Sequence, residues 1–188
     1  MEALYYIVIG AVMMLILGYL RVRYAAFLGQ RPQDYANAPG EALDLPRHLN
    51  GPIICEGVIY GPLGRVSSRF VGEFDARWEG NKGVMTERFT YDDGSVQDRE
   101  WTLVLGNDGR VVATAPDVVG EGAGEQAGPS LRLCYRIRLP DDAGGHILDT
   151  VDWMYLAPNG TIVNRSQFRK FGIKVAELVA TMRREEPV

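Results

Sequence analysis

Turn signals recur along this chain at strand spacing, and that rhythm restricts the fold more than any other feature. Pro62-Leu-Gly64, Glu79-Gly-Asn81, Asp92-Asp-Gly94, Asn107-Asp-Gly109, Asp141-Asp-Ala-Gly-Gly145 and Pro158-Asn-Gly160 each combine residues that tolerate positive φ or preset a turn. The runs between them, residues 53–60, 65–78, 83–91, 95–105, 110–118, 130–139, 146–156, 161–166 and 171–182, read as nine strands. Several alternate. Val66, Ser68, Phe70, Gly72 and Phe74 share one face, as do Trp101, Leu103 and Leu105. Short strands joined in sequence by hairpin turns, without intervening helices, predict an all-β antiparallel up-and-down meander. Closing the meander into a barrel of lipocalin or calycin type removes its exposed edges and can enclose one small ligand. An open β-sandwich is the alternative.

Before the first strand lies a different kind of segment. Residues 3–20 carry no charge and are apolar almost throughout, with Tyr5, Tyr6 and Tyr19 at the ends. A helix needs roughly 17 to 25 such residues to cross the hydrocarbon layer, and tyrosine rings suit the interfaces. A cleaved signal peptide fits less well, because no basic residue precedes the run, no small-x-small site follows it, and Arg21-Val-Arg23 comes at once. The expected organisation is a transmembrane anchor over residues 1–23, a turn-rich linker or strap over 24–48 and a β-barrel domain over 49–188.

Charge divides along the same line. The net charge is −4 over 188 residues, yet Arg21, Arg23 and Arg31 against Glu2 leave residues 1–31 at +2 and the remainder at −6. An acidic body argues against nucleic acid, which requires a clustered positive surface. Cys55 and Cys134 have no CxxC or Cys/His spacing, so no metal site is expected; they are either two separate thiols or one disulfide. His48 and His146 form no HExxH or Ser/His/Asp pattern, and no cofactor motif is present. A binding protein is expected rather than an enzyme.

The segment Val151-Asp-Trp-Met-Tyr-Leu-Ala-Pro-Asn-Gly-Thr-Ile-Val-Asn-Arg165 reads as a hairpin about its Pro-Asn-Gly turn, and Phe168-Arg-Lys-Phe-Gly172 follows it. With Asp34-Tyr35-Ala36, Leu43-Asp44-Leu45, Leu49-Asn50-Gly51 and Asp117-Val-Val-Gly120, it resembles a bacterial domain-of-unknown-function family, number 3833, over residues 32–185. The resemblance implies a lipocalin-like barrel of the bacterial envelope. It also implies a strand for residues 171–182, whose apolar period fits neither a helix nor a strand cleanly. Members usually reach the envelope through a lipid-modified N-terminal cysteine; here no cysteine precedes Cys55, and the helix takes the lipid's place. The expected location is the bacterial inner membrane. The arginines after the helix place the body in the cytoplasm by the positive-inside rule, whereas the resemblance places it in the periplasm, the reading adopted here.

Candidate ligand-binding residues follow from composition within the strands. Arg69, Arg88 and Arg165 are strand arginines, and an inward-turned guanidinium fork could meet a carboxylate head group. Trp101, Trp153 and Tyr155 could line a cavity. The glycine-rich block 117–128 lacks a phosphate-loop pattern and reads as a bulged hairpin at a barrel corner, with Asp117 and Glu125 as its polar residues of interest. Asp152 is expected in an ion pair with Arg165 or Arg88. These residues predict a membrane-anchored domain that binds or handles a lipid or fatty-acyl ligand. The alternatives are an accessory subunit docking a solid barrel onto a membrane protein partner, and a hydrolase in which Asp117, Glu125 and Asp152 converge.

Overall fold

A computed structural model describes residues 2–185. Helix α1 (Glu2–Tyr24) is long and apolar enough to cross a membrane, at about 34 Å, and none of its residues is buried. Then come two 3-10 turns, Phe27–Gly29 and Pro32–Asp34, and the short helix α2 (Leu45–His48).

The body is a closed antiparallel barrel of ten strands in sequential order: β1 (Gly51–Tyr60), β2 (Val66–Glu79), β3 (Lys82–Tyr91), β4 (Val96–Leu105), β5 (Arg110–Thr114), β6 (Gly122–Ala127), β7 (Ser130–Arg138), β8 (Ile147–Leu156), β9 (Ile162–Lys170) and β10 (Ile173–Arg184). Strand β1 pairs with both β2 and β10, so that Cys55 lies opposite Gly72 on one side and Met182 on the other. The meander is therefore closed, as expected, and the ambiguous last run is a strand.

The strand count corrects the reading of the sequence. The glycine block is not one bulged hairpin: residues 115–121 form a connection and Gly122–Ala127 form a whole strand. Glycine hid this strand, because its residues carry little β-preference of their own. Their small size is what the barrel uses. A Cβ on Gly122 would stand 3.2 Å from Tyr135, and one on Gly124 would stand 3.0 Å from Val111 and 3.2 Å from Leu133. The same complementation recurs at Gly72, where a Cβ would meet the Phe74 ring at 2.6 Å.

Alternation sends Ile53, Phe70, Phe74, Met85, Trp101, Leu103, Leu131, Leu133, Ile162 and Met182 into one core. One end of the barrel is closed by the chain that enters it. Leu43, Leu45 and Leu49 are almost wholly buried there, and the Trp78 indole donates to the Leu49 carbonyl at 2.6 Å. Before that plug, residues 27–43 run as a strap along the outer wall. Leu43 donates its backbone N–H to the Gly128 carbonyl at 3.0 Å and accepts from the Gln126 side chain, while Gln33 donates to Glu125 at 2.8 Å.

Candidate functional site

The interior of the barrel is apolar at the plugged end and carries a polar cluster farther along, with Phe70, Phe89 and Leu178 beyond it. A cavity of about 100 Å³ extends from Leu45 and Leu49, past Phe74, Met85, Leu133 and Met154, to Glu87, Arg99, Asp152, Asn164 and Ser166. Burying so many polar groups is costly unless each finds a partner. The pattern of which do and which do not defines the site.

Arg99 is the centre of this cluster. Strand alternation turns it inward from β4, directly across from Glu87 of β3. Its Nε donates to Asp117 Oδ1 at 3.0 Å, and its guanidinium lies 4.3 Å from the Trp101 ring centroid, with Tyr135 packed edge-on against Trp101. Asp117 comes from the connection before β6, where the backbone bonds of Val119 to Arg136 and of Arg138 to Asp117 hold it at the barrel mouth. One nitrogen, Arg99 Nη2, is buried and has no hydrogen-bond partner among the described residues.

Neither inner carboxyl, Glu87 or Asp152, hydrogen-bonds that nitrogen. Burial pushes Glu87 up to about 8, against the opposing pull of Arg99 and with help from Asp152 and Asp117, so near neutrality its carboxyl is largely protonated. Burial raises Asp152 as well, against the hydrogen bonds it receives from Ser166 at 2.7 Å and from Asn164. The cluster thus presents a fixed cation, aromatic faces and neutral or hydrogen-bonded carboxyls above an apolar floor. It can hold an anion or carboxylate on Arg99 with an apolar body directed at the leucine plug.

The residues expected from sequence divide between the two faces of the wall. Trp101, Asp117 and Asp152 belong to the cluster. Arg69 and Arg88 point outward and pair with Asp92 at 2.9 Å and Asp98 at 2.7 Å. Arg165 is outward too, held by Glu177 at 2.6 Å and stacked over Phe27 at 5.0 Å. The ion pair expected between Asp152 and Arg165 or Arg88 is therefore replaced by Asn164 and Ser166. Odd and even positions on paired strands look to opposite sides, so Asp152 and Arg165 could not meet through the sheet. Glu125 is on the outer wall under the strap, so Asp117, Glu125 and Asp152 do not converge. Cys55 faces the core and Cys134 the outside of a different strand, and both are free thiols.

Trp153 and Tyr155 also leave the site. Both face outward, where they form the seat of the strap. Tyr35 packs edge-on against each, with centroids at 5.4 and 5.5 Å, and Gln30 accepts hydrogen bonds from the Tyr35 and Tyr155 hydroxyls. Trp153 is completely buried there. Sequence reasoning singled out neither Arg99, which lies in the predicted strand 95–105, nor Glu87. The usable signal was parity, since Arg99 shares its face with Trp101 and Leu103.

Comparison with known proteins gives the same architecture. Residues 22–184 match the model of the family described as "Protein of unknown function (DUF3833)". No curated protein matches. Among solved structures, the S-type phycobiliprotein lyase CPES of Guillardia theta superposes with a TM-score of 0.55 at 9% identity, covering 75% of this chain and 90% of that one. A Nostoc punctiforme protein of unknown function from the DUF3598 family gives 0.54 at 10% identity, with 80% and 53% covered. Rv2717c of Mycobacterium tuberculosis gives 0.53 at 17% identity, with 78% and 100% covered. At these identities the likeness concerns the fold.

Proposed function

The chain belongs to the DUF3833 family, and from that premise and the polar cluster in the barrel we propose that it is a membrane-tethered binding protein for a small ligand with an anionic head and an apolar body, of the fatty-acyl class. The observation that carries this reading is Arg99 Nη2, a buried guanidinium nitrogen without a partner among the described residues, in a polar cluster above the apolar floor of the barrel. A buried donor left unsatisfied costs about 1–3 kcal/mol, more when charged, and a carboxylate or phosphate oxygen removes that cost. Neutral Glu87 leaves the charge of Arg99 to be met by Asp117 on one side and by the ligand on the other.

A cavity of about 100 Å³ takes a short chain or the end of a longer one, not a whole long acyl chain. The fold class supports the reading, since barrels of this kind hold one small ligand, although fold alone does not assign a function. In this proposal α1 spans the bacterial inner membrane and the barrel stands on its periplasmic side.

Native mass spectrometry of the detergent-purified chain, with extraction of whatever co-purifies, tests the proposal. An acyl ligand bound one to one is expected, lost in Arg99→Met and retained in Arg88→Ala, whose side chain faces solvent. Protein that is empty and shows no mass shift with added fatty acids of any length would overturn it.

A further inference from the structure

The unplugged rim of the barrel carries the most exposed apolar side chains of the whole described chain. Leu63 and Phe171 are each 90% exposed, more than any residue of the apolar helix α1. Leu63 sits in the connection from β1 to β2 and Phe171 in the turn from β9 to β10, and because β10 pairs with β1 these connections are neighbours on one rim. Ile173 and Val66, at 70% and 55% exposed, extend the patch along the adjoining strand starts.

Packing does not place Phe171: its ring is open to solvent and the contact it has is Lys170, whose Nζ lies 5.7 Å from the ring centroid. It and Gly172 form a two-residue hairpin turn between the paired Lys170 and Ile173, with φ of 53° and 78°. Such a turn needs positive φ at both positions and favours Asn-Gly. A bulky aromatic residue there is sterically disfavoured, and Phe171 is the one described non-glycine residue with positive φ. Its ring gains nothing in return from the core. Strain of this kind, held at an exposed tip, points to function.

Basic residues surround the patch. Arg65, Arg138, Lys170 and Lys174 lie in the connections and strand ends of this sector. Acidic groups share this rim: Glu177 is held by Arg165 and Lys174 and Asp92 by Arg69, while Asp93 and Asp141 lie in the β3–β4 and β7–β8 connections on either side of the patch, so the basic character is local to Arg65 and Lys170. The strap fastens the chain after α1 to the wall at Phe27 and Arg165, about midway along β9, so this attachment by itself selects neither end of the barrel. Chemistry separates the two ends. The plugged end is basic as well, with Arg47, Arg183 and Arg184 beside Glu41, His48, Asn159 and Glu185, but it shows no exposed apolar tip, so apolar exposure rather than charge distinguishes the rim.

We propose that the rim formed by Leu63, Phe171 and Ile173, with Arg65 and Lys170 beside it, inserts into the headgroup boundary of the same bilayer that α1 spans, and so holds the barrel mouth against the lipid. The proposal rests on reading α1 as a membrane anchor, which the test separates from it. Exposed aromatic and aliphatic side chains enter the headgroup boundary, and each basic residue near an anionic surface adds attraction that salt weakens.

The full chain is reconstituted into bilayers of phosphatidylethanolamine and phosphatidylglycerol with brominated acyl chains, which quench tryptophan at the level of the lipid. Single variants place the probe on the anchor (Leu15→Trp), on the rim (Phe171→Trp, Leu63→Trp) and on the plugged end (Asn159→Trp), each read against the unsubstituted chain, whose native tryptophans are Trp78, Trp101 and Trp153. Strong quenching at 15, 171 and 63 but not at 159 is the expected result. Quenching at 15 with positions 171 and 63 no different from 159 overturns the docking and leaves the anchor standing, and directs the rim to a protein partner instead. An unquenched position 15 overturns both. A second variant, Phe171→Asn, relieves the turn: in detergent its thermal midpoint is expected to rise by about 2–4 °C, while quenching of Leu63→Trp in the same chain falls. A lower midpoint would assign the ring a structural role and overturn the proposal.

Discussion

Arg99 and Glu87 face one another on the inner wall, yet near neutrality they are not a simple ion pair, because burial keeps the Glu87 proton in place up to about pH 8. A carboxyl whose folded pKa lies above its ordinary value of 4.5 binds its proton more tightly in the fold than in the unfolded chain. Its contribution to stability is therefore complete in acid and declines as the pH rises from 4.5 through 8, with a slope of up to about 1.4 kcal/mol per pH unit. Denaturant titrations between pH 5 and 8 should show stability falling with pH in the wild type and a flatter profile in Glu87→Gln. Binding of an anionic ligand should weaken above pH 8 as Glu87 ionises and competes for Arg99, and Glu87→Gln should remove that loss, as read by ligand titration. The thiols belong to the same scale. Burial pushes Cys55 up to about 12 and raises Cys134 as well, so mass spectrometry should find both unmodified after exposure to an alkylating reagent at neutral pH, and modified once the barrel unfolds. The location of these charges was only partly legible. Parity along β4 places Arg99 with Trp101, but which parity faces inward at each strand depends on closure of the sheet.

The strap is the element that joins the two parts of the chain. Its turn-rich composition marked it as a connection, but nothing in its sequence says that Tyr35 seals Trp153 or that Leu43, Leu45 and Leu49 stop one end of the barrel. Trp153→Ala should cost about 3–5 kcal/mol, measured by denaturant unfolding, because it empties a fully enclosed site between wall and strap. Tyr35→Ala should cost less, since Tyr35 is half-buried, and should expose Trp153, visible as a red shift in tryptophan emission. Neither variant should abolish binding of a ligand in the barrel, because both side chains lie outside it; that distinguishes the strap seat from the site. The glycines of β6 teach a converse lesson. Read alone they describe a loop, and only the neighbouring Tyr135 and Leu133 show that absent side chains are what this strand contributes.

For the whole molecule, closure is decisive. Strands β1 and β10 are more than a hundred residues apart and must pair to complete the barrel, so loop entropy is spent before that contact forms. Folding is expected in the millisecond-to-second range, with variants at the β1–β10 seam changing the late steps. Stopped-flow refolding followed by tryptophan emission checks this. By itself the chain's pattern of turns, alternating strands and one uninterrupted apolar run determined a meander with a helix before it, because these are local consequences of backbone sterics and side-chain period. Local rules are blind to the rest. Which arginine turns inward, which tryptophan lines the lumen and which lies under the strap, and which loop tips share a rim were decided by the tertiary structure, because only closing the sheet gives each strand an inside and an outside.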